Sequence, residues 1–290
     1  MTAQALPYVH VDVFSATPYS GNSLSVFPDA RGLNATQMLC ITQELRHFEA
    51  IFLEPTVEAT TYQARVFDLF EELPFAGHPV IGAAGALHRA AGGQGARRWT
   101  FELRAKTVTV TTHQDGARVN GLLAQGTADF LGVVDDRAGV ARVFGFTPQD
   151  LHGELPLEVV STGLKYLVVP LAPDTIHRAR IISDLTEQLS SYGAQFAVLF
   201  DEARLEQRHW NNDGVIEDVA TGSAAGVIGV YRVRHGLASS GASFVLRQGR
   251  FTSRPSELLV IPRTNKLGAL EVDVGGWVSF VGRGELEAMP

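Results

Sequence analysis

The hydrophobic pattern changes period several times along the chain, and each change marks an element. Over residues 8–14 Val9, Val11 and Val13 alternate with His10 and Asp12, the period of a half-buried strand. Pro18-Tyr19-Ser20-Gly21-Asn22 has turn composition, and a second strand follows at 23–27. Asn34 stands as the N-cap of a helix reaching about Arg46, with Met38, Ile41 and Leu45 on one face. Residues 50–53 and 61–67 read as strands, and 79–91 as a helix. That helix is so rich in Ala and Gly that it can be packed on every side. Short strands at 100–103, 107–112 and 118–123 complete the first half. The second half shows strands at 159–161, 166–169 and 195–200, a short helix at 186–192 and a small-residue helix at 223–235. Further strands follow near 243–247, 257–262, 271–274 and 278–281.

Both halves thus run strand, helix, strand, small-residue helix, strands, and a shared motif precedes each small-residue helix. One copy is Glu72-Leu73-Pro74-Phe75-Ala76-Gly77-His78, the other Glu217-Asp218-Val219-Ala220-Thr221-Gly222-Ser223. This is an internal duplication. A Gly and a polar residue opening a small-residue helix leave first-turn N–H groups available to an anion. The pattern predicts two similar α+β domains, residues 1–124 and 125–290, with the last strand free to return to the first domain. It also predicts that two helix ends, one per half, hold one small anionic molecule.

Composition narrows the function classes. With 45% hydrophobic and 19% charged residues over 290 positions, the chain is an ordinary globular protein of one large or two ordinary domains. A net charge of −7, with basic clusters no longer than Arg97-Arg98, excludes nucleic acid as the main partner. No apolar run approaches the roughly 20 residues of a membrane span. Residues 1–8 lack the basic and apolar regions of a secretory signal, so a cytoplasmic location is the default expectation. Cys40 is the single cysteine; no intrachain disulfide can form, and no thiol pair can serve two faces of a substrate. Its place in an apolar helical pattern predicts a core position.

Several chemistries lack their motifs. There is no G-x-G-x-x-G after a strand and no G-x-x-x-x-G-K-[ST], so no nucleotide cofactor is expected. No two of the nine histidines lie at i, i+4 on one helix, so no catalytic metal is expected either. Ser223 lacks the G-x-S-x-G elbow of a serine nucleophile.

Four side chains remain as carriers of chemistry. Glu49 lies where a helix gives way to an apolar strand; facing inward beside Phe48, Ile51 and Phe52 it would be desolvated and suited to proton transfer. The alternative is a charged helix end facing solvent. His78 follows Gly77, which lets a ligand approach the backbone, and can polarise a carbonyl or relay a proton; it can equally serve as a plain helix cap. Asp218 can orient or share a proton, or cap a turn. Ser223 with Thr221 and Gly222 can form an anion site, cap the helix, or both. The equivalence of Glu72 and Glu217 favours a structural role, such as bonding the loop backbone.

Together these segments resemble the PhzF family of phenazine-biosynthesis-like isomerases. The resemblance is carried by Glu72-Leu73-Pro74-Phe75-Ala76-Gly77-His78-Pro79, Glu217-Asp218 and Thr221-Gly222-Ser223-Ala224-Ala225-Gly226. Ser161-Thr162-Gly163-Leu164 with Tyr166, Arg254-Pro255-Ser256 and Gly275-Gly276 support it. The resemblance implies a diaminopimelate epimerase-like fold, each domain wrapping a curved, mostly antiparallel sheet around a central helix, with the active site in the interdomain cleft. It implies a cofactor-free carbon-to-carbon proton shift on a small carboxylate-bearing substrate, no metal, and a homodimer. By residue matching, Glu49 is the general acid/base, His78, Asp218 and Ser223 are the other catalytic groups, and Gly77, Thr221 and Gly222 bind substrate. Phe67-Asp68-Leu69-Phe70, Val219 and Trp210-Asn211-Asn212-Asp213 depart from the family pattern and bear on pocket shape. The alternatives are an epimerase or racemase of an amino or hydroxy acid, and a non-catalytic small-acid binding protein on the same fold.

Overall fold

Asn34 and Gln37 cap each other reciprocally at the start of the first helix, so the local code for that element is written in two side chains. The computed structural model describes residues 5–290; the first four residues of the segment read above for signal features lie outside it. The chain divides into two units, Met1–Ala124 with Gly275–Pro290, and Gln125–Val274.

The first unit contains β1 (Leu6–Val13), β2 (Asn22–Phe27), α1 (Ala35–Leu45), β3 (Glu49–Pro55), β4 (Thr61–Asp68), β5 (Glu72–Leu73), α2 (Gly77–Ala91), β6 (Gly95–Glu102), β7 (Thr107–Asp115) and β8 (Arg118–Thr127). The pairs β2–β3 and β4–β6 are parallel and flank the crossovers through α1 and α2. The pairs β1–β2, β3–β4, β6–β7 and β7–β8 are antiparallel. Residues 278–286 of the chain's last strand pair antiparallel with β1, and that strand also neighbours β8, so the layer closes on itself.

Helix α2 runs inside this layer, and every residue from His78 to His88 is buried. Small residues allow it. A Cβ at Gly82 would lie 2.5 Å from Leu24 Cδ2, and one at Gly85 would lie 2.9 Å from Val278 Cγ1. Helix α1 lies on the outer face, where Met38 and Ile41 pack with Phe27, Ala50, Phe52 and Phe67. The Phe27 and Phe52 rings stack at 4.5 Å, and Phe67 meets Phe52 edge-on. Each such side chain contributes roughly 1.5–3 kcal/mol when fully buried. Cys40 is exposed, against the expectation of a core thiol. It sits two residues beyond Met38, roughly 200° around the helix, and so faces away from the packed stripe.

The second unit contains β9 (Asp129–Val133), α3 (Arg137–Val143), β10 (Glu158–Ser161), β11 (Lys165–Pro170), α4 (Thr186–Ser191), β12 (Phe196–Asp201), β13 (Glu206–Arg208), α5 (Gly222–Arg234), β14 (Phe244–Gln248), β15 (Ser256–Thr264) and the start of β16 (Leu270–Leu286). Its strand order follows the sequence from β9 to β16, and the Ala128 N–H, between β8 and β9, donates to the Leu270 carbonyl at the start of β16 at 2.8 Å. The pairs β11–β12 and β13–β14 are parallel, around α4 and α5, just as in the first unit. Helix α5 is enclosed like α2: Ala224 to Arg232 are buried, and a Cβ at Gly229 would lie 2.6 Å from Val260 Cγ1. Leu189 of α4 packs in an outer cluster with Val140, Phe144, Leu167, Val169 and Leu199.

Two local readings change. The strands expected at 271–274 and 278–281 are one strand of 17 residues, β16. Gly275 makes no turn there; it allows contact, because a Cβ would fall 2.0 Å from the Gly121 carbonyl oxygen. Strand β13 escapes a hydrophobic pattern because its residues are Glu206, Gln207 and Arg208, all buried. No helix among the described residues is long and apolar enough to cross a membrane.

Gly275→Ala is expected to destabilise the protein by about 3 kcal/mol, because the obstacle is backbone and cannot rotate away. Urea unfolding at neutral pH checks this; stability equal to the parent would contradict the close approach.

Candidate functional site

In the first unit the strand register aims the acid. Ala50 and Phe52 of β3 face the α1 cluster, so alternation sends Glu49, Ile51 and Leu53 to the other face, toward α2. Glu49 therefore turns inward, with its side chain 20% exposed. Its Oε2 lies 3.5 Å from Nδ1 of His78, whose side chain is 8% exposed. The Asn22 Nδ2 atom lies 3.5 Å from the same Nδ1. The imidazole nitrogen thus has a carboxylate and an amide N–H within reach, so it can be held in either protonation state. These are long contacts of the kind that tighten when a substrate fills a site.

His78 is the second residue of α2. Its N-cap, Ala76, is extended and offers no side-chain cap, and Pro79 has no N–H to satisfy. The backbone N–H groups at Gly77 and His78 therefore open the helix without a capping side chain, and the positive end of the helix dipole lies beside the Glu49–His78 pair.

Neither repeated glutamate joins this chemistry. Arg65 donates two hydrogen bonds to Glu72, at 2.8 and 2.6 Å. Arg208 does the same to Glu217, both at 2.8 Å. The structural role expected for the pair holds, but the partner is an arginine rather than the loop backbone. The second clamp is the more buried. The Arg208 guanidinium lies between the Trp210 and Phe251 rings, 4.4 and 4.1 Å from their centroids. It also donates to the carbonyls of Ile176 and Ala179. Trp210, read above as shaping a pocket, is part of this clamp.

In the second unit Asp218 is held by its own loop. It accepts from the Thr221 hydroxyl at 2.5 Å and from the Ala220 N–H at 3.3 Å, while its backbone N–H donates to the His209 carbonyl at 2.9 Å. An amide ladder fixes Thr221: its N–H donates to Gln248 Oε1 at 2.8 Å, and Gln248 Nε2 donates to its hydroxyl at 3.0 Å. Gln207 donates to Gln248 at 2.6 Å and to the Thr221 carbonyl at 3.1 Å. Gln125 holds the Gly222 carbonyl at 2.8 Å. The N-cap of α5 is Thr221, not Ser223, and its side chain is turned to Asp218 instead of capping. The Ser223 hydroxyl lies 2.8 Å from Tyr166 Oη.

Sequence reading thus located Glu49, Gly77 and His78 around one helix end, and Asp218, Thr221, Gly222 and Ser223 around the other. It placed Asn22 in a turn and named Tyr166 only among the segments that carry the family resemblance, giving neither a role at the site. Gln207 and Gln248 gave no periodic signal. No group of three or more His, Cys, Asp or Glu side chains able to hold a metal occurs among the described residues.

Comparison with known proteins shows the family and the fold. The profile of the PhzC-PhzF family, described as phenazine biosynthesis-like protein, matches residues 11–281. A trans-2,3-dihydro-3-hydroxyanthranilate isomerase of Pseudomonas chlororaphis is 30% identical, covering 96% of this chain and 98% of the relative. An uncharacterised isomerase of Pasteurella multocida is also 30% identical, covering 97% and 94%. A solved structure described as a predicted epimerase from Pseudomonas aeruginosa is 44% identical, with a TM-score of 0.90 over 97% of this chain and 99% of that one. The fold is the α+β, epimerase-like one expected from the sequence.

The two clamps should differ in cost. Glu217→Gln leaves the Arg208 charge buried with a weakened partner and is expected to cost about 3 kcal/mol; Glu72→Gln, at the more exposed pair, is expected to cost about 1 kcal/mol. The Arg65 guanidinium holds the Glu72 carboxyl below its ordinary value of 4.5. A lowered carboxyl stabilises above the unfolded value and loses that contribution as pH falls through the folded one. Urea unfolding from pH 7 to pH 3 checks both points: the Glu72→Gln deficit should shrink below pH 4.5, and a deficit constant with pH would contradict the pairing.

Proposed function

The chain belongs to the PhzC-PhzF, phenazine biosynthesis-like family of isomerases, and we propose that it moves a proton from one carbon to another on a small carboxylate-bearing substrate, without a cofactor. The observation that carries this reading is the Glu49–His78 contact of 3.5 Å at the uncapped start of α2. A half-buried carboxylate beside an imidazole is a proton-transfer pair that water only partly screens.

The roles follow from chemistry. Glu49, as carboxylate, takes a proton from carbon. The electron pair left behind moves along the conjugated frame, and the protonated Glu49 returns the proton at the far carbon. No oxidant or leaving group is needed. His78 donates to the oxygen or nitrogen on which negative charge develops, with Asn22 supporting its ring. Gly77 gives backbone access at that helix end. In the second unit the α5 start at Gly222, with Thr221 and Ser223, binds the carboxylate, and Asp218 orients the loop and shares protons through Thr221. A positioned acid/base contributes roughly 10²–10⁴ in rate.

The first compound to test is the one named for the Pseudomonas chlororaphis relative, trans-2,3-dihydro-3-hydroxyanthranilate. The departures at Phe67-Asp68-Leu69-Phe70, Val219 and Trp210-Asn211-Asn212-Asp213 allow a related but different acid. An epimerase reading draws support from the Pseudomonas aeruginosa structure described as one. Product analysis in deuterated water separates the two: a shift places deuterium on a new carbon, an epimerase on the original carbon with inversion. A binding protein would incorporate none. The family resemblance adds a homodimer, which light scattering checks.

Glu49→Gln keeps the shape of the side chain and removes the base. Deuterium incorporation, followed by NMR, should fall by about 10²-fold or more while the fold is retained. Exchange at the parental rate would refute the assignment.

A further inference from the structure

Tyr166 sits in the second unit at a place the roles above leave unused. It lies on β11, is 2% exposed, and points its hydroxyl at Ser223 Oγ, 2.8 Å away. Its ring is fixed on two sides, by Phe196 at 5.5 Å and by His209, edge-on, at 5.5 Å. His209 is itself locked. Its Nδ1 lies 2.9 Å from the Ala197 carbonyl, which can only accept, so Nδ1 carries the proton. Burial holds that imidazole below its ordinary value, so it stays neutral.

The phenol keeps its proton for two reasons. Burial is the larger, and the Asp218 carboxylate adds to it; both push ionisation well above the ordinary tyrosine value. That proton needs an acceptor, and Ser223 Oγ is in place. Between two facing hydroxyls only one can donate in the shared bond, and a phenol is the stronger acid. When Tyr166 donates, the Ser223 proton is released to point elsewhere, and the chain of two bonds polarises it. Ser223 is the second residue of α5, where a negative group is favoured.

We propose that Tyr166 is a positioning residue that, by donating to Ser223 Oγ, makes Ser223 a dedicated donor to the substrate's carboxylate. The proposal rests on the reading that this carboxylate is held at the start of α5. Without Tyr166 the serine hydroxyl is free to rotate, and its proton is no longer committed to the ligand. Tyr166→Phe removes one oxygen and keeps the ring packing against Phe196 and His209.

The test is a double-mutant cycle read by binding rather than turnover. Anthranilate, a flat carboxylate that cannot undergo the proton shift, is titrated by calorimetry into the parent, Tyr166→Phe, Ser223→Ala and the double variant, each checked for fold by circular dichroism. Tyr166→Phe and Ser223→Ala are each expected to weaken binding about tenfold, the scale of a hydrogen bond to a charged group. The double variant should bind no more weakly than Ser223→Ala alone. Parental affinity in Tyr166→Phe, or losses that multiply in the double variant, overturn the proposal, as does a parent that takes up no anthranilate at millimolar concentration. In turnover assays Tyr166→Phe should raise KM with kcat nearly unchanged; an equal fall in kcat would assign it a different role. The base assignment is read from deuterium incorporation in Glu49→Gln and this one from anthranilate affinity in Tyr166→Phe, so the failure of either gives a different result.

Discussion

Everything in this protein is constrained by a helix enclosed by strands. A strand layer that closes around a helix leaves little room where helix and strands approach most closely, and the chain meets this with glycine and alanine at those positions. At Gly82, Gly85 and Gly229 even a methyl group would collide with Leu24, Val278 or Val260. Close packing of this kind has few alternative arrangements. It fixes the axial position of α2 and α5, and with it the points where the first turns of those helices begin. His78 and Ser223 inherit their positions from that packing. The strand register then adds Glu49 on one side and Tyr166 on the other.

The duplicated halves have kept the frame and diverged in the chemistry. Each retains a forked arginine–glutamate pair that ties a strand to the loop ahead of its central helix, through Arg65 and Glu72 or Arg208 and Glu217. Such a pair sets the geometry of the loop and leaves the helix start open. What stands at that start differs. One helix begins with an imidazole beside a carboxylate and an amide. The other begins with hydroxyls backed by a ladder of two glutamines, an aspartate and a phenol. The first set has the groups of a proton-transfer pair; the second presents hydroxyls held by amides, a phenol and the Asp218 carboxylate.

Much of this was legible in the sequence because it depends on period and on short polar motifs. Alternation at Val9, Val11 and Val13, the Asn34 cap and the glycine-rich helices are all local signals, and they describe real elements. The motif ending in Gly77-His78 and in Gly222-Ser223 announces two helix starts for the same reason. Other features depend on partners distant in the chain. Gly275 interrupts the strand pattern in the sequence, and its reason shows only when Gly121 is seen against it. Strand β13 is polar in sequence and buried in fact, because Arg250, Gln248 and Glu217 wait elsewhere to satisfy it. Tyr166 stands in a motif without a role, and only its hydroxyl's partner shows what it faces. Cys40 errs in the opposite sense: an apolar neighbourhood in sequence is not one face of a helix.

The long last strand carries a consequence for how the molecule is made. Residues 278–286 supply the neighbour of β1, so the first unit contains both the earliest and the latest parts of the chain. A nascent chain that has emerged only as far as Val274 holds all of the second unit and lacks one stave of the first. Until residues 278–286 have been made, β1 lacks its neighbour and presents an open edge with unpaired backbone groups. The residues of the second unit are all present by then, and the pairing of 278–286 with β1 is what closes the layer around α2.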